Sequence, residues 1–179
     1  MKNYLKNKTV YLCGPIVGVD DDGIGWRTLI SGKLEKLGIN ILDPCKKAPV
    51  YQDLNTDLGE VGKDKKKFKE IILRENWKQL KEDFWPIVRY DLKCVDKSDF
   101  LIFYYDPTVS TVGSIHELVV ATFEKKNILL FYKKEHLDSF NPWIATFIKE
   151  HHFFHNWQDM FNYLDQVNNG KFDTSLWVI

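Results

Sequence analysis

Apolar residues along this chain follow two rhythms, short unbroken runs and a three-and-four spacing, and the alternation between them predicts the elements. Residues 9–13, Thr-Val-Tyr-Leu-Cys, form a β-type run closed by Gly14 and Pro15. Trp26, Leu29, Ile30, Leu34 and Leu37 then recur at helical intervals, and Gly38 stops the helix. Residues 39–42 read as a second strand closed by Asp43, because a residue preceding proline (here Pro44) is pushed out of the helical region. Residues 45–64, polar and punctuated by Pro49, Gly59 and Gly62, read as a long loop able to act as a lid or a substrate wall. A charged helix follows over 65–80, carrying Phe68, Ile71, Ile72, Leu73 and Trp77, and a second helical piece starts near Pro86 and carries Ile87, Val88, Asp91, Leu92 and Val95. Beyond it the pattern gives a strand at 100–105, a helix at 113–125, a strand at 127–132, a helix at 142–149, a short strand at 152–154 and a last helix at 157–167. No internal repeat or low-complexity segment is visible.

Strands that alternate with helices, several of them continuously apolar, predict a parallel sheet covered on both faces. The expected fold is α/β: a flavodoxin/Rossmann-like three-layer sandwich with a mainly parallel sheet of about five strands, forming a single domain over residues 1–179. In such folds ligands bind beyond the carboxyl ends of the strands. That rule gathers Tyr11 and the Gly14-Pro-Ile16-Val-Gly18 loop after the first strand, Asp43 after the second, and residues 106–114 after the third.

Composition narrows the ligand. The 179 residues are 44% hydrophobic, enough for one sizeable core, and the 25 basic and 25 acidic residues cancel. Without a global field, neither a nucleic acid polymer nor an anionic membrane is the expected partner; a small molecule is. Cys13, Cys45 and Cys94 are odd in number and fit no zinc or disulfide spacing, which predicts reduced thiols and a cytoplasmic setting. No window is apolar enough for a signal peptide or a membrane span. Neither GxGxxG nor a P-loop occurs, and no cofactor is expected. No metal is expected either: His151, His152 and His155 are interleaved with Phe153, Phe154 and Trp157 and read as packing. Asp20, Asp21 and Asp22 read as a solvated loop, with a metal or a substrate hydroxyl as the minority reading.

Two carboxylates stand out. Glu117 lies in the first turns of the helix after the third strand, directly before the apolar Leu118-Val119-Val120-Ala121, where it could be no more than an acid favoured by the helix dipole. Asp91, among Tyr90, Leu92 and Val95, could be a solvated helix residue.

What raises both is their order among three segments. VYLCGPI at 10–16, YDLKCVDKSDFLIF at 90–103 and GSIHEL at 113–118 together resemble the nucleoside 2-deoxyribosyltransferase superfamily, which includes the deoxynucleoside 5'-monophosphate N-glycosidases. The resemblance spans about residues 8–157. It implies Glu117 as the nucleophile on C1' of a deoxyribosyl group, Asp91 as the partner acid at the departing base, and Tyr11 as the hydroxyl that orients Glu117. The sheet-edge rule makes Gly14, Ile16, Asp43, Ser110, Thr111, Gly113 and Ser114 the candidate substrate contacts, and the resemblance implies a nucleoside or nucleotide substrate and a homodimer or higher homo-oligomer. Thr111 holds the position six before the glutamate, where transferases on free nucleosides carry Asp and monophosphate hydrolases carry Ser. A hydroxyl there suits a phosphate; the acidic run 20–22 and the donor-free Val17 and Val19 oppose one. Val119 departs from the family's glycine. Two other readings stay open: a non-catalytic nucleotide-binding module of the same fold, and an unrelated flavodoxin-like protein, which the lack of a flavin phosphate loop disfavours.

Overall fold

The computed structural model of the chain describes residues 3–46, 61–171 and 177, with the backbone alone for 61–65. Strands β1 (Thr9–Cys13), β2 (Asn40–Leu42), β3 (Phe100–Tyr105), β4 (Asn127–Tyr132) and β5 (Phe153–Phe154) form one sheet in the order β2-β1-β3-β4-β5, every pair parallel. Helices α1 (Ile24–Lys36), α2 (Val61–Leu73), α3 (Trp77–Lys97), α4 (Val112–Phe123), α5 (Pro142–Ala145) and α6 (Trp157–Asn168) complete it. The expected three-layer α/β architecture is the one observed.

The two-residue period of the strands sorts their side chains into two cores. Val10, Leu12, Phe100, Ile102, Leu129 and Phe131 face Ile30 and Leu34 of α1 and Met160, Leu164 and Val167 of α6. Tyr11, Cys13, Leu101, Phe103, Ile128 and Leu130 face Val95 of α3 and Leu118 and Ala121 of α4. Leu101 and Ile102 are neighbours on opposite faces and both are wholly buried, as a central parallel strand requires. Each such burial stabilises by about 1.5–3 kcal/mol.

Five local expectations need correction. The helix expected over 65–80 ends at Leu73, and a new one begins at Trp77. Glu75 takes a left-handed φ of 52°, and the Asn76 side chain accepts from the Gln79 N–H at 3.2 Å, capping α3. The apolar spacing runs through this break, so periodicity conceals it. At its other end α2 starts at Val61, inside the segment read as loop; the rest of that loop, 47–60, lies outside the described residues.

Pro86 does not start a helix but sits within α3. Its ring removes one backbone bond to the carbonyl four residues earlier; Glu82 and Pro86 are both exposed, so water can take that carbonyl. The helix expected over 142–149 is a single turn, α5, capped by Asn141 accepting from Trp143 N–H at 2.9 Å. His152 closes a short 3-10 turn, Glu150–His152, rather than joining β5.

Candidate active site

Strand order reverses between β1 and β3: β2 lies beyond β1 on one side, β4 and β5 beyond β3 on the other. Their carboxyl ends open the crevice where doubly wound folds take ligands. Tyr11 and Cys13, two apart on β1, project to the same face, and α4 crosses that face. Ser114, Glu117, Leu118 and Ala121 form the buried side of α4. Glu117, only 8% exposed, thus lands against β1.

There it is held by both oxygens. The Tyr11 hydroxyl donates to Oε1 at 3.0 Å and the Cys13 thiol donates to Oε2 at 2.9 Å. Burial raises the Glu117 pKa above its ordinary value, while the Cys13 and Tyr11 donors and the Arg27 charge pull it back. Asp91, half-buried on α3, is pushed up to about 8, first by burial and then by the Glu117 charge, with Arg27 opposing. The Glu117 charge itself helps to lift Asp91, so the two carboxyls are coupled through charge. Paired carboxyls in unlike surroundings can divide the roles of base or nucleophile and of acid between them. Tyr11 stays a donor, since burial and the nearby carboxylates raise its pKa well above 10.

Sequence reasoning missed Arg27. Its side chain is 1% exposed, yet every guanidinium nitrogen is used. Nε and Nη2 donate to Leu12 O, Nη2 also to Gly14 O at 3.1 Å, and Nη1 to Pro15 O and to Gly23 O at 2.8 Å. Arg27 therefore ties the loop after β1 to the start of α1. Asp43 supplies the counter-charge, its Oδ1 lying 3.5 Å from Nε and accepting from Cys45 N–H at 2.9 Å. The candidate substrate residue Asp43 is thus placed beneath the loop as the partner of Arg27. An arginine at a helical position beside Trp26 looks like a surface residue in sequence, and nothing local marks it as buried.

The same loop places the remaining candidates. At Gly14 a Cβ would stand 2.9 Å from the Trp26 ring and 3.1 Å from the Tyr104 carbonyl, so glycine is needed for this close approach. Ile16 is half-buried in the loop. Asp21 accepts from Gly23 N–H at 2.9 Å and Gly25 N–H at 2.8 Å, so this member of the acidic run is tied to the first turn of α1. Among the described residues, no group of three or more His, Cys, Asp or Glu gathers where a metal could bind.

Ser110, Thr111, Gly113 and Ser114 surround the start of α4. Thr111 is its N-cap residue, but its hydroxyl makes no capping bond. Gly113 faces open space, and Ser114 is buried on the Glu117 side. Ser110 and Thr111, with Val112, Ile115, Asn141 and Trp143, line a pocket of about 350 Å³. The structure therefore joins Tyr11 and Glu117 directly, couples Asp91 to them through charge, and sets Ser110 and Thr111 in a pocket at the helix start. Cys13 was also missed, although its place two residues after Tyr11 is the strand period that puts both on one face.

Glu117 is buried against β1 at the switch point of a five-stranded parallel sheet, the edge at which open α/β folds take ligands. Solved structures with this fold agree with the architecture. A 2-deoxyribosyltransferase from Bacillus psychrosaccharolyticus superposes with a TM-score of 0.55 at 18% identity, over 87% of this chain and 91% of that one. A conserved protein from Enterococcus faecalis V583 does so with a TM-score of 0.52 at 17% identity, over 90% of this chain and 99% of that one. At such identities the likeness is one of fold, and it is the fold that the sequence resemblance implies. No protein-family model and no curated protein matches the chain. No described helix is long and apolar enough to cross a membrane.

Proposed function

We propose that this protein cleaves the N-glycosidic bond of a (2'-deoxy)nucleoside or its 5'-monophosphate, with Glu117 as nucleophile, Asp91 as acid and Tyr11 orienting Glu117. The observation that carries the reading is the buried Glu117 carboxylate, gripped on both oxygens by Tyr11 and Cys13, with the pKa of the nearby Asp91 lifted by burial and by the Glu117 charge. A Glu117 oxygen attacks C1' as the C1'–N bond breaks, and the bond's electron pair leaves on the base, which takes the proton of Asp91. Water or a second base then attacks C1', the glycosyl ester bond breaks back to the Glu117 carboxylate, and Asp91 recovers a proton from the incoming group. Water gives a hydrolase; a base gives a transferase. A transition state with oxocarbenium character gains from the adjacent negative charge in a water-poor site. The fold shared with a protein named a 2-deoxyribosyltransferase supports the same chemistry.

The test is incubation with a panel of nucleosides and their 5'-monophosphates, with and without an added free base, products being separated by chromatography. Base release, or base exchange, is expected from the parent and is expected to fall by more than about a thousandfold in Glu117→Gln, the scale of losing a covalent nucleophile. Release by Glu117→Gln at the parent rate ends the nucleophile assignment; a parent inactive on the whole panel leaves a binding module. The monophosphate arm decides whether Ser110, Thr111 and Ser114 receive a phosphate or a hydroxyl.

A further inference from the structure

We infer that Cys13 is a positioning residue, whose thiol donates to the Glu117 carboxylate and holds it in one orientation; its catalytic meaning rests on the function proposed above. The contact itself does not. Cys13 is wholly buried and Glu117 nearly so, and they meet at 2.9 Å, a close approach for a sulfur donor. Neither can exchange the other for water, so the thiol is the partner that Oε2 has in the closed core, as Tyr11 is for Oε1. A carboxylate held at both oxygens cannot turn about its terminal bond, and its remaining lone pairs keep a fixed aim. Two donors also favour the charged form against the cost of burial.

The thiol has no competing task. Burial and the Glu117 charge keep its proton on sulfur, so Cys13 is a donor and not a thiolate nucleophile. Its other approach, to the Ser114 carbonyl, is longer at 3.5 Å. Cys45 donates elsewhere, to Asp22 O at 3.5 Å. The charged and titratable groups coupled to Glu117 come from three elements: Tyr11 and Cys13 from β1, Asp91 and Cys94 from α3, and Arg27 from α1. Removing the thiol leaves Tyr11 and Arg27 in place, so the carboxylate is weakened as a charged group rather than lost.

The experiment compares the parent with Cys13→Ala and Cys13→Ser in two measurements. The first follows the Glu117 carboxyl carbon by NMR as pH is varied, which needs no activity. The second is the pH dependence of kcat/KM for base release. Loss of one hydrogen bond to a charged group, taken at the low end for a weak donor, predicts that Cys13→Ala titrates about one pH unit higher at Glu117. The acid limb of kcat/KM is expected to move by the same amount, a loss of about tenfold below it, with KM little changed. Cys13→Ser retains a hydroxyl donor and is expected to restore both. If Glu117 titrates alike in the parent and Cys13→Ala while only the melting temperature falls, the thiol is mere packing and the inference is overturned. A shifted titration in a protein that cleaves nothing keeps the thiol–carboxylate contact and overturns the catalytic role of Glu117 alone.

Discussion

Replacing Asp91 by asparagine is expected to slow base release while making the protein more stable, and the two effects have one cause. In the folded chain Asp91 titrates near 8 rather than at its ordinary 3.8. A raised pKa in the native state means that the folded form holds a proton which the unfolded form gives up above about pH 4. The associated stability is therefore complete below pH 4 and is lost as pH rises through 8. About four pKa units at about 1.4 kcal/mol each set an upper bound near 5–6 kcal/mol. Asp91 is only half-buried, and water reaching it reduces this to about 2–3 kcal/mol.

Asparagine keeps the shape and carries no charge at any pH, so Asp91→Asn is expected to gain on the parent steadily from pH 4 to 8 and to reach that difference at pH 8 and above. Chemical denaturation of both proteins in parallel, at intervals from pH 4 to 9, measures it. In the same variant the departing base loses its proton donor, and kcat for base release is expected to drop by about 100–10,000-fold. The parent's activity is expected to fall above pH 8, where Asp91 loses its proton. A stability difference flat across the pH range would refute the reasoning, because Asp91 would then titrate alike in the folded and unfolded chains.

Two further outcomes concern the frame around the site. Gly23 has a φ of +71°, and a Cβ there would collide with Pro15 O and Arg27 Nη1, so Gly23→Ala is expected to cost about 2–4 kcal/mol and to loosen the loop that Arg27 ties down; a denaturation midpoint equal to the parent's would contradict this. His152, its pKa lowered to about 4 chiefly by burial, lies 2.8 Å from the Tyr163 hydroxyl, which also accepts from Trp177 Nε1 at 2.9 Å. The folded chain thus resists protonating His152, and stability present above pH 6.5 is expected to fall by about 3 kcal/mol as pH drops from 6.5 to 4. His152→Gln, which cannot titrate, is expected to lose that part of the slope; an unchanged slope in denaturation at pH 7 and 4.5 would assign it to other groups.

Much of this was legible from the chain alone. Period-two runs separate the two faces of every long strand, and the helical spacing from Trp26 to Leu37 marks α1, because both patterns record local geometry and burial on one side. Tyr11 and Glu117 came from the resemblance, and the structure brings them together. Tertiary structure alone decided that β1 lies beside β3, so that Cys13 meets a carboxylate 104 positions away and Arg27 sinks beneath the loop after β1 with Asp43 as its counter-ion. It also decided the raised pKa of Asp91, which depends on how much water packing removes and on the charge of Glu117. Propensity and periodicity are properties of neighbours along the chain, whereas a pKa and a buried ion pair are properties of neighbours in space, set only when the sheet order is complete.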